Sequence, residues 1–162
     1  MNIRIEKIDN KNSEAIDFLV EENLKLFLEL NPKFKELYND KNHSYKETIR
    51  SNYIPAYKKN IKDNGKIYVA YKENDIIGIG YIEKDNYLSF LFIKEEFRNM
   101  GIGTMILERL ISECSKFGDI KTDAKTDSIS LFERLSFYQV EGESNEAYIP
   151  MELRMKRWII LI

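Results

Sequence analysis

Three short stretches crowded with Ile, Val, Tyr and Phe, at 66–73, 76–84 and 87–93, follow one another with only Asn74-Asp75 and Asp85-Asn86 between them. Such runs have the composition and length of strands, and two-residue Asn/Asp turns leave no room for a helical crossover. An antiparallel meander is therefore expected. The third strand ends in Leu91-Phe92-Ile93, and a polar loop then leads to Gly101-Ile102-Gly103-Thr104 at the head of an apolar-striped segment, 101–116. There Ile102, Ile106, Leu110 and Cys114 fall on one face, widened by Leu107 and Ile111, and Gly118 closes a helix.

This strand-to-helix passage is built for an anion. Two glycines permit a tight turn and close backbone approach, while the N–H groups of the first helical turn have no partner in their own helix. A phosphate or pyrophosphate fits there. Dinucleotide binding of the Rossmann kind is the rival reading, since Asp123 lies twenty residues beyond Gly103. Against it, the third glycine position is Ile106, about seven residues separate Ile93 from the first glycine, and the preceding strands are hairpin-linked.

The spacing Arg98-x-x-Gly101-x-Gly103 after Leu91-x-Ile93 resembles the acetyl-CoA motif of the GCN5-related N-acetyltransferase (GNAT) family. Thirty residues beyond Gly101, Leu131-Phe132-Glu133-Arg134-Leu135-Ser136-Phe137 is similar to the second signature of that family, Leu-Tyr-Glu-x-Leu-Gly-Phe. The resemblance implies an α/β, more closely α+β, acyl-CoA N-acyltransferase fold: a mixed, mostly antiparallel central sheet flanked by about four helices. It also implies acetyl transfer from acetyl-CoA to a primary amine of a small molecule or peptide, by direct attack in a ternary complex.

Carried over residue by residue, the resemblance assigns the pyrophosphate to the backbone of Arg98, Asn99, Met100, Gly101, Ile102, Gly103 and Thr104, with the Thr104 hydroxyl as a further donor. Leu91, Phe92 and Ile93 would bond the pantetheine amides as a strand edge. Phe92 equally suits plain core. Lys125 stands where many relatives carry an asparagine that touches the pantetheine arm, and Phe132 replaces the tyrosine that protonates the leaving thiolate.

Two departures follow for the chemistry. The fourth strand has no acid where many relatives keep a glutamate base, so Glu83, at the end of the preceding strand, is the substitute base, acting through a water. Tyr138, six residues beyond Phe132, is the substitute acid. The same departures support the competing reading, a non-catalytic acyl-CoA-binding sensor or assembly module. Phe34, Tyr38, Tyr45, Tyr53 and Tyr57 cluster where relatives line the acceptor side, and the acids of 141–146 favour a cationic acceptor such as a polyamine, an amino sugar or a lysine side chain.

The remaining elements come from local patterning. A strand is expected at 3–8 and a helix at 13–30, ended by Asn31-Pro32. Ser44-x-x-Glu47 opens a second helix as a capping box, Pro55 kinks it, and Asn64-Gly65 stops it. A strand near 120–124, a helix near 127–135 and strands near 137–140 and 147–155 complete one domain over 1–162.

Composition bounds the partners. A formal charge of −2 gives no global attraction for nucleic acid, and no apolar run approaches the ~18 residues of a membrane span. A cytoplasmic location is expected, since 1–6 lacks a signal pattern. One cysteine, Cys114, and one histidine, His43, give no disulfide and no metal pair, so the first reads as core and the second as a loop residue. The tail Trp158 to Ile162 is too short to cross a bilayer and is expected to pack on the sheet or on the second subunit of a homodimer.

Overall fold

The computed structural model describes residues 2–39, 45–114, 118–142 and 148–155. His43, Ser44, most of the acidic loop and the apolar tail lie outside them.

Strand β1 (Ile3–Ile8) leads to helix α1 (Ser13–Leu30), whose first turn is capped by the Asn12 side chain accepting from Ala15 N at 3.0 Å. Helix α2 (Pro32–Asn39) follows at once. The expected break at Pro32 is thus a helix start, because proline at the first helical position gives up only an N–H that has no acceptor there. Helix α3 (Tyr45–Lys62) continues through Pro55. The meander is β2 (Lys66–Lys72), β3 (Asp75–Ile82) and β4 (Leu88–Ile93). After a 3-10 turn at Glu95–Phe97 come α4 (Ile102–Cys114), β5 (Ile120–Lys125), α5 (Ile129–Arg134), β6 (Tyr138–Gln139) and β7 (Tyr148–Leu153). The described helices number five where about four were expected, the additional one being α2.

The strands form two antiparallel sheets, β1-β2-β3-β4 and β5-β7-β6. They meet at one parallel bridge between Tyr87 and Lys121. Asn86 holds that junction: it is buried, its carbonyl accepts from Lys121 N at 3.1 Å, and its amide donates to Gly118 O at 3.3 Å. Thr122 Oγ1 adds a bond to Leu88 O at 2.9 Å. Beyond it β4 and β5 share no ladder, so the two sheets open as a V.

Helices α1 and α3 cover one face of the first sheet, over Ile67, Val69, Ile79, Tyr81 and Phe90. Helix α4 covers the opposite face and unites both sheets in one core, with Tyr68, Ala70 and Ile77 on one side and Ile120, Ala124, Met151 and Leu153 on the other. Its close approach requires Gly80 on β3, where a Cβ would fall 2.4 Å from Ile106 and 2.9 Å from Leu110. Cys114 is 2% exposed within this core, and burial raises its thiol pKa.

Candidate active site

One arm of the V is the free edge of β4. Lys94 N donates to Ile77 O at 2.9 Å, so along β4 the even-numbered residues bond β3 while Leu91 and Ile93 turn their N–H and C=O groups to the open side. The Ile93 carbonyl there accepts from Arg98 Nε at 3.1 Å. The Leu91 and Ile93 side chains pack toward α4, whereas Phe92 turns the other way and meets Phe18 of α1 at 5.9 Å between ring centroids.

At its start β4 carries a bulge. Tyr81 pairs with Phe90 and Ile82 with Leu88, which leaves Ser89 as an extra residue that bends the strand locally. Its hydroxyl is buried and, among the described residues, lacks a hydrogen-bond partner. Such an orphan sits badly in a dry core and well beside a ligand.

The far end of the β4 edge runs into the glycine loop. Asn99 (φ 60°) and Gly101 (φ 79°) both take left-handed backbone, and the first helical bond of α4 is Met105 N to Gly101 O at 3.0 Å. The N–H groups of Ile102, Gly103 and Thr104 therefore have no acceptor within the helix. A Cβ at Gly101 would meet nothing within 4 Å, whereas one at Gly103 would sit 3.5 to 3.9 Å from Leu131, Ile93 and Leu91. The open edge and the helix start thus share one wall. Arg98, Asn99 and Met100 are exposed beside it, Thr104 is half-buried, and Ile102 is core.

Near the apex, on the face shared with α1 and α3, lies a row of polar groups that the sequence reading only half anticipated. Glu83 N donates to Tyr87 O at 2.9 Å across the turn, and Tyr87 Oη donates to Asp123 Oδ2 at 2.5 Å. Burial raises the Tyr87 pKa, and the Asp123 carboxylate adds to the rise. Above them Tyr57 of α3 stands edge-on to Tyr81 at 5.2 Å. Its phenol is pushed up to about 12 by burial, against the Asn23 amide bond of 2.6 Å and together with the Glu83 charge. In sequence Asp123 stands out only as the acid of the dinucleotide alternative. The alternation of β5 puts it on the same face as Lys125, which is exposed nearer the mouth of the V.

Phe132 is core, 4% exposed and edge-on to Phe137 at 5.3 Å. Tyr138 lies on β6, with β7 and β5 between it and the V. Its hydroxyl donates to Glu152 at 2.9 Å, with Arg154 over its ring at 5.0 Å. The structure thus brings together Leu91, Ile93 and the 98–104 loop, and separately Glu83 with Tyr87 and Asp123; it does not bring Tyr138 to either group. Among the described residues no group of three His, Cys, Asp or Glu side chains is placed for a metal, and no helix is long and apolar enough to cross a membrane.

Comparison with known proteins agrees with this geometry. The family model for an acetyltransferase (GNAT) domain matches residues 33–156. No curated protein matches the chain in sequence. Among solved structures, PaiA N-acetyltransferase from Thermoplasma acidophilum, in complex with coenzyme A, is similar at 17% identity and TM-score 0.61 over 95% of this chain and 99% of that one. The protein PH1933 from Pyrococcus horikoshii OT3 is similar at 19% identity and TM-score 0.68, over 96% and 100%. An acetyltransferase of the same family from Streptococcus pneumoniae gives 16% identity and TM-score 0.64, again over 96% and 100%. At these identities the likeness is one of fold.

Proposed function

The chain belongs to the GNAT acetyltransferase family, and from that premise we propose that it transfers an acetyl group from acetyl-CoA to a primary amine by direct attack in a ternary complex. One observation carries the reading: the edge of β4 at Leu91 and Ile93, which faces no neighbouring strand and has the Ile93 carbonyl held by Arg98 Nε, leads directly into the N–H groups of Ile102 to Thr104 that α4 leaves without an acceptor. An extended chain bearing amides and ending in a pyrophosphate needs both features in that order. The open space over Gly101, the exposed Arg98 and the orphan Ser89 hydroxyl support the fit. Lys125, at the mouth, is available to a phosphate or the pantetheine arm.

The transfer forms an N–C bond and breaks the C–S bond. Of the two protons the nitrogen gives up, one goes to a base and one to solvent, which returns a proton to the departing sulfur. Backbone N–H groups at the bulged start of β4 stabilise the developing oxyanion, and the walls of the V hold amine and thioester together. Glu83 is the proposed base, through a water, with Asp123 and Tyr87 completing an acceptor set for the ammonium. With Phe132 buried and the Tyr138 hydroxyl bonded to Glu152, solvent protonates the thiolate. The missing phenol is also what favours the second reading, a non-catalytic acyl-CoA sensor.

Calorimetric titration with acetyl-CoA, followed by free-thiol release against a panel of amines, separates the readings. Binding with amine-stimulated thiol release is the expected result. Binding with none from any amine, together with a change of oligomeric state, would favour the sensor. Absence of binding would overturn both.

A further inference from the structure

A cavity of about 270 Å³ lies between α1 and α3, on the same face as the Glu83-Tyr87-Asp123 row. That is room for about nine waters' worth of ligand. Val20, Leu24 and Phe27 form its apolar wall and Asn52, Tyr53 and Tyr57 its opposite wall; among the described residues no lining side chain is charged. Phe27 and Tyr53 are 39% and 50% exposed at its rim, apolar surface that a ligand would cover. The nearby carboxylates of α1, Asp17 and Glu21, are both ion-paired with Arg50.

Cavity and row are joined by Tyr57. It lines the cavity, its ring abuts Tyr81, and its phenol feels the Glu83 charge, as do Tyr81 and Tyr87. A ligand spanning the two meets acceptor-only carboxylates at one end and an uncharged, ring-lined hollow at the other. A second ammonium in that hollow would find no counter-charge among the lining side chains, whereas an apolar or aromatic group would cover the exposed rings of Phe27 and Tyr53.

We propose that the acceptor is a primary monoamine on an apolar or aromatic body, with its ammonium held by Glu83, Tyr87 and Asp123 and its body in the α1–α3 cavity. The inference rests on the transferase reading and narrows the cationic acceptors expected from sequence, excluding polyamines as preferred substrates.

The test compares 2-phenylethylamine with spermidine as acceptors, reading kcat/KM by thiol release, after acetyl-CoA binding has been measured by calorimetry on the same protein. Phenylethylamine should be favoured by roughly tenfold or more, the effect one buried aromatic ring supplies. Asn52→Asp, which places a carboxylate at the exposed rim of the cavity at almost constant volume, should move the ratio toward spermidine by about twofold to fivefold. Asp123→Asn should raise KM for phenylethylamine while acetyl-CoA affinity stays unchanged. Preference for spermidine, or turnover of spermidine with none of phenylethylamine, would overturn this inference. Failure to bind acetyl-CoA, or binding with no turnover of any amine, would instead overturn the transferase reading beneath it.

Discussion

Gly101 and Gly103 look equivalent in the sequence and are not. Gly101 holds φ 79° with free space where a Cβ would stand, so Gly101→Ala carries backbone strain of about 1–2 kcal/mol without any clash. Gly103 is helical, and its added methyl meets only ordinary contacts. Gly103→Ala should therefore melt at or above the wild-type temperature, gaining up to about 1 kcal/mol of helix propensity. If the N–H groups beside it hold a pyrophosphate, the same variant should lose acetyl-CoA affinity by calorimetry despite its stability. Phe132→Tyr is the complementary probe: thiol release should rise only where thiolate protonation limits the rate, and burial of an unpartnered hydroxyl should cost about 1–3 kcal/mol in a melt. At this scale the cradle was legible, because glycine spacing encodes backbone shape directly. The Tyr87–Asp123 bond was not, because it joins residues whose proximity depends on where two sheets meet.

Among elements, the contact between α4 and β3 bears the most weight. Gly80→Ala puts a carbon 2.4 Å from a methyl of Ile106, so the Ile106 and Leu110 side chains must repack or the helix move off the sheet. A loss of about 1–3 kcal/mol is expected in denaturant melts. Ile106→Val in the same chain should not return all of it, because Leu110 is also within 2.9 Å. Most elements could be read from periodicity and turn residues, and β1 and α1 match the expected 3–8 and 13–30. Helix α2 escaped because Asn31-Pro32 signals a stop and a start alike, and only the chain beyond decides between them. The bulge at Ser89 escaped because one extra residue shifts register without disturbing composition.

Across the whole molecule, β1, β2 and α4 are linked by a polar triad: Lys7 Nζ to Glu113 at 2.5 Å and Tyr68 Oη to Glu113 at 2.6 Å. Burial works to raise the Glu113 pKa, but the bonds from Lys7 and Tyr68 outweigh it and the net shift is downward from 4.5. A depressed carboxylate stabilises the fold above its unfolded value and loses that contribution as pH falls through the folded one. Glu113→Gln should thus be less stable than wild type at neutral pH, with the gap closing below pH 4.5 in pH-dependent melts. Tyr68, pushed up to about 12 by burial and then by Glu113, works at the other end. Its contribution is present below 10.0 and lost as pH rises through about 12.

Because α4 is packed into both sheets at once, the helix that presents the anion cradle is also the keel of the whole body. Any guest seated at its N-terminus is spent only by unfolding the entire core, and a ligand at a hundred times its Kd adds about 2.7 kcal/mol to that work. The melting temperature of this protein is thereby a gauge of how much cofactor surrounds it.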